Sequence, residues 1–138
     1  MTQSFLRLAA PLALLAATAA PALAQTPNWA KGTPLAVTMT NHGFTPERLT
    51  MKQGATYIVT FRNASDRTHN FSAHDFFKYA RVSPADQAWV AKNEVLLKPG
   101  ERATIHLVAP DTPGARYAFR STRVEDAASK MKGAIFVR

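Results

Sequence analysis

Apolar and polar residues alternate along most of the chain after Pro34. In Pro34-Leu-Ala-Val-Thr-Met-Thr40 the residues Leu35, Val37 and Met39 fall on one face, the period-two pattern of a half-buried strand. Arg48 to Lys52 reads as a second strand. Thr56-Tyr-Ile-Val-Thr-Phe-Arg-Asn63 is a third, almost wholly β-branched and aromatic. Thr68 to Ser72, Glu94 to Lys98, Arg102 to Ala109, Tyr117 to Ser121 and Ala134 to Arg138 continue the series. Asn41-His42-Gly43, Gln53-Gly54, Asn63 to Asp66, Pro99-Gly100 and Pro113-Gly114 supply the turns between them. The pattern changes between Asp75 and Asn93. There Ser83, Pro84 and Asp86 provide a cap-type residue, a first-turn proline and an early acid. A short helix from Pro84 to about Lys92 is expected, with Ala85, Ala88 and Trp89 as its buried stripe. Seven to eight short strands with turns between them predict an all-β Greek-key sandwich carrying one short inserted helix.

The first residues follow other rules. Arg7 is the lone charge, Leu8 to Ala20 is apolar, and Ala22-Leu23-Ala24 suits a small-x-small cleavage site. Pro11 and Pro21 interrupt the run, which falls short of the ~20 residues that a spanning helix needs. Residues 1–24 therefore read as a cleaved signal peptide that sends the protein to the periplasm or outside the cell. Residues 25–33 are a polar lead-in, and residues 34–138 form one domain. Without Arg7 the chain keeps 16 basic residues against 9 acidic ones, a formal charge of +7. That sign favours an acidic partner, such as an acidic periplasmic protein. The basic residues are scattered and lack interleaved aromatics, which argues against nucleic acid. Nothing after residue 24 is apolar enough to span a membrane.

Cysteine is absent, so there is no disulfide and no thiolate. No enzyme constellation stands out either. Ser121 has no Gly-x-Ser-x-Gly elbow, Glu125-Asp126 is an adjacent pair in a loop, and there is no phosphate-cradling glycine loop. His42 and His106 are expected to face solvent, and Met39 and Met51 to fill the core.

Six phrases in order resemble the cupredoxin family: Gly43-Phe-Thr-Pro-Glu47, Gln53-Gly54 before the Tyr57 strand, His69-Asn-Phe71, Leu97-Lys-Pro-Gly-Glu101, Gly114 to Phe119, and Met131-Lys-Gly-Ala-Ile-Phe-Val137. They cover about residues 35 to 138. The resemblance implies a copper ion at one end of the sandwich, held by two histidines, a cysteine and a weak axial methionine. Carried over, His69 matches the first histidine and Met131 the methionine. The cysteine position falls on Ser121. The second histidine belongs within Arg123 to Asp126, where there is none, so Arg123 and Ser121 mark degenerate ligand positions. A serine hydroxyl is far less acidic than a thiol and is a poor ligand for a soft copper ion. The resemblance thus implies a cupredoxin-like binding or accessory protein without the blue-copper ligand set. His69 and Met131, joined by His74 if the chain bends near Ala73, would suit weak binding of Cu(I). A metal-free interaction domain is the alternative, with Arg120, Arg123, Lys130 and Lys132 as a charged docking end. An electron carrier would need the missing cysteine.

Overall fold

The computed structural model describes residues 25–138, together with residue 17 and residues 19–21. The signal peptide expected over 1–24 lies outside the described residues apart from those four positions. Among the described residues, no helix is long and apolar enough to cross a membrane.

Ten strands follow the alternation closely. They are β1 (Thr33–Met39), β2 (Phe44–Thr45), β3 (Arg48–Met51), β4 (Thr56–Asn63), β5 (His69–Ser72), β6 (Arg81–Val82), β7 (Glu94–Leu97), β8 (Arg102–Val108), β9 (Arg116–Arg120) and β10 (Lys132–Val137). The two beyond the expected eight, β2 and β6, are two residues long, too short to carry a period of their own. One sheet runs β2-β1-β4-β8-β6 and the other β3-β10-β9-β5-β7. Two pairs are parallel, β1 with β4 and β3 with β10, and the rest are antiparallel. This is a two-sheet sandwich of the cupredoxin-like type.

The inward positions of both sheets meet in one core. In β8 it takes Ala103, Ile105 and Leu107, and in β1 it takes Val37 and Met39. Phenylalanines fill its centre. Phe71 stacks on Phe119 with centroids 4.4 Å apart, and Phe44 meets both rings edge-on. Offset and edge-to-face contacts of this kind add to the burial that drives folding.

The segment between β5 and β7 departs from expectation. Pro84–Asn93 is 3-10 rather than regular helix, and it breaks at Val90, Ala91 and Lys92. Its buried residue is Val90, while Ala85, Ala88 and Trp89 face outward. A 3-10 turn has three residues per turn, so a stripe drawn at α-helical spacing rotates off the core. The apolar anchor comes instead from a short helix, α1 (His74–Tyr79), through Phe76 and Phe77. His106 is half-buried rather than free in solvent. Its Nδ1 lies 2.8 Å from Asp86 Oδ2, which also accepts the His106 N–H, and this ties the 3-10 segment to β8.

Gly133 is set where β10 pairs closely with the chain around Glu47, whose carbonyl accepts from the Ala134 N–H. A Cβ there would lie 2.2 Å from the Glu47 carbonyl oxygen and 2.3 Å from the Phe119 ring. One obstacle is backbone and the other a stacked core ring, so neither yields easily. Gly133→Ala is expected to destabilise the fold by about 1–3 kcal/mol, the usual cost of overpacking. Urea unfolding measures it, and an unchanged midpoint would show that the pairing beside Glu47 can open.

Candidate functional site

One end of the sandwich gathers His69, Ser121, Asp126 and Met131, and local structure fixes each. Buried Asn63 braces the turn before His69. Its Nδ2 donates to the Arg67 and Leu97 carbonyls, and its Oδ1 accepts from the Ser65 N–H and hydroxyl. β5 then delivers His69 into the interior at 0 % exposure. β9 ends at Arg120, and the loop that follows is clasped by the Ser121 N–H donating to the Met131 carbonyl at 2.9 Å. Within that loop a 3-10 turn, Val124–Asp126, points the Asp126 side chain inward, and Ser129 donates to the Asp126 carbonyl. Met131 is buried at the start of the return strand.

The four positions form a hydrogen-bonded network. His69 Nδ1 lies 2.7 Å from Asp126 Oδ2, and its Nε2 lies 3.0 Å from Asn41 Oδ1. Ser121 donates through its hydroxyl to Asp126 Oδ2, with Asn70 Oδ1 at 3.1 Å. Asn70 is in turn oriented by the Thr122 N–H, which donates to its Oδ1, while its Nδ2 donates to Glu94 and to the Thr122 hydroxyl. Both side-chain amides therefore have assigned directions. Asn41 Oδ1 accepts from Arg67 Nε and Asn41 Nδ2 donates to Asp66, so the oxygen faces His69 and Nε2 must carry hydrogen. The Asn41 amide is also the leading cause that holds the exposed Asp66 carboxyl below its ordinary value. A backbone hydrogen bond and the Arg67 and His69 charges add to it.

Asp126, rather than Arg123, is the residue from the Arg123–Asp126 stretch that reaches His69. Arg123 stays partly exposed, its Nε 3.7 Å from Glu125. His74 does not join the group. It opens α1 with a side chain 70 % exposed and pairs with Asp75. The bend near Ala73 thus turns the chain into a helix and carries His74 outward. Asp126 gave little signal in sequence, since an acid in Arg-Val-Glu-Asp looks solvated. Its one clue is even spacing, because Ser121, Asp126 and Met131 are each five residues apart.

A blue copper centre needs a thiolate and two imidazoles around the ion. These positions offer one imidazole, a carboxylate and a hydroxyl, with the carboxylate bonded to each of the other two. Among the described residues, no group of three His, Cys, Asp or Glu side chains is placed to hold a metal. The donor set does not fit a blue-type copper ion. It does not make a nucleophile–base pair either. Ser121 bonds to the acid rather than to the imidazole, and the far nitrogen of His69 is committed to Asn41, so the order needed to activate a serine is missing.

Outside the network the end is basic. A cleft of about 590 Å³ beside Ser121, Asp126 and Met131 is lined by Arg120, Arg123, Lys130 and Lys132. The four predicted docking residues therefore share one opening.

Comparison with known proteins agrees with the architecture. A family model for the cupredoxin-like domain matches residues 8–137. Dithionite-reduced auracyanin from the photosynthetic bacterium Roseiflexus castenholzii is similar in structure, with 22 % identity and a TM-score of 0.56. The match covers 78 % of this chain and 98 % of that one. Auracyanin B is similar at 19 % identity and a TM-score of 0.55, over 84 % of this chain and 93 % of that one. A multicopper oxidase from Pediococcus acidilactici matches at 16 % identity and a TM-score of 0.54, over 75 % of this chain but 25 % of the oxidase. No curated protein matches in sequence.

Proposed function

We propose a non-redox role for this chain, which belongs to the cupredoxin-like domain family: an exported binding or accessory module whose metal end is closed by its own side chains. The carrying observation is that both ring nitrogens of His69 face protein acceptors, Asp126 and Asn41. In the auracyanins and oxidases that share the fold, copper is the natural ligand to consider. Here the Asp126 carboxylate, bonded to His69, stands where a second imidazole would be. Cu(I) capture by His69 and Met131 would have to break the Asp126 contact and leave that carboxylate buried without its partner, which is costly. Residues 1–24 support export, and the absence of a serine–imidazole pair supports a non-catalytic role. The charge of +7 and the cleft formed by Arg120, Arg123, Lys130 and Lys132 support an acidic partner.

Titrating the mature protein with Cu(II), and with Cu(I) under reducing conditions, tests the reading. The expected result is no intense visible band and no stoichiometric tight binding of either ion. A 1:1 complex with either ion that disappears in His69→Phe would overturn it and restore a copper function through His69 and Met131.

A further inference from the structure

The outer face of the second sheet carries a feature that the closed metal end does not explain. Arg48 on β3, Arg116 and Arg120 on β9, and Lys132 on β10 all line a cleft of about 630 Å³. Among the described residues, none of the four has an ion-pair partner within 4.0 Å. Lys132 stands directly opposite Arg120 in the β9–β10 register, and like charges so placed work against the sheet. Two carboxylates, Glu47 and Asp75, also line the cleft, and Asp75 is engaged with His74.

The cations are sorted into two poles. At one, the Arg48 guanidinium lies 3.7 Å over the Phe136 ring, with that of Arg116 5.9 Å from the same centroid. Stacking on a ring leaves the edge of a guanidinium free to bind a carboxylate. At the other pole are Arg120 and Lys132. Arg116 and Arg120 are four residues apart on one face of a strand, which sets the poles about 13 Å apart. Between them the opposed pair Ala118 and Ala134 provides a shallow apolar floor. An extended peptide repeats the same spacing. Its side chains i, i+2 and i+4 point one way, and i to i+4 spans the same ~13 Å.

We propose that this face binds an extended acidic segment of a partner protein, with carboxylates at i and i+4 on the two poles and a small apolar residue at i+2 over Ala118 and Ala134. The proposal rests on the reading of the chain as a binding module and names the surface and the pattern it selects. It does not depend on whether the metal end binds copper.

Fluorescence anisotropy with two labelled peptides of one composition tests it, Glu-Thr-Val-Thr-Glu and the shuffled Thr-Glu-Glu-Thr-Val. In ~50 mM salt, where exposed charges are weakly screened, the spaced peptide is expected to bind at least about tenfold tighter. Arg48→Glu with Arg116→Glu should abolish that preference, while Arg62→Glu with Arg102→Glu, an opposed and exposed pair on the other sheet, should leave it. Arg120→Glu is the informative single change. It removes the Lys132 repulsion and should raise the melting temperature while weakening the peptide, which a merely structural role could not do. Equal affinity for the two peptides, or no binding of either, overturns the proposal. So does binding of anionic phospholipid vesicles in place of the peptides. A failed peptide test beside a negative copper titration leaves the closed metal end standing, and the reverse pattern leaves this surface standing.

Discussion

The double variant Ser121→Cys, Asp126→His is expected to turn blue on addition of Cu(II), with a strong band at about 600 nm that the parent protein lacks. The scaffold already supplies the difficult parts. His69 is fully buried and held by Asn41 through Nε2, so Nδ1 is the nitrogen aimed at the site. An outer hydrogen bond of that kind fixes the ring that a metal uses. Position 126 places its side chain within 2.7 Å of Nδ1, so an imidazole there would reach the same centre. Ser121 adjoins the same carboxylate, and its backbone is clasped to Met131. A cysteine there would bind the ion as its thiolate, releasing its proton to solvent. Each single change should fall short, since Ser121→Cys leaves one imidazole and Asp126→His leaves no thiolate. The measurement is the visible spectrum of folded double variant with equimolar copper. A folded but colourless protein would show that the end has lost the frame as well as the ligands.

That expectation rests on a fold that was legible because period-two alternation is a strong signal where one face of a strand is buried. β1, β4 and β8 follow it residue by residue, and so core positions such as Val37 and Met39 could be named in advance. The inserted region was not legible, for a specific reason. Ser83-Pro84-Ala-Asp86 carries the start signals of a helix, but a start signal does not tell an α-helix from a 3-10 turn, and the inward face depends on that choice. The helix that does anchor the region, α1, has Ala73 at its cap without a side-chain bond, so local sequence gave it no marker. The site divides in the same way. His69, Ser121 and Met131 could be placed because the resemblance to cupredoxins carried that family's ligand positions onto them. Asp126 could not, because only the unseen imidazole makes burial of that acid affordable, and burial of a charge is a property of the partner as much as of the residue.

Asp126 should accordingly dominate the stability of this end. Asp126→Ala removes the acceptor for His69 Nδ1 and for the Ser121 hydroxyl, in a place closed to water. Breaking one side of a buried pair typically costs about 3–5 kcal/mol, because the remaining partner keeps its desolvation penalty. For a domain of this size that lowers the melting temperature by roughly 10–20 °C. The isosteric Asp126→Asn should cost much less. Its amide oxygen can still accept from one donor, and a neutral imidazole can still take a hydrogen bond at Nδ1. Replacing both partners, as in His69→Phe with Asp126→Ala, should be milder than the sum of the two single changes, since no unpaired polar group is left behind. A thermodynamic cycle over these variants, read by urea unfolding, decides the point. If Asp126→Ala matched Asp126→Asn, or if the double change were simply additive, the carboxylate would be a bystander and His69 would be held by Asn41 alone. A large coupling makes the pair the internal substitute for a metal: the residues that could have opened around an ion are bonded to each other, and the energy that closes the end of the sandwich comes from the chain itself.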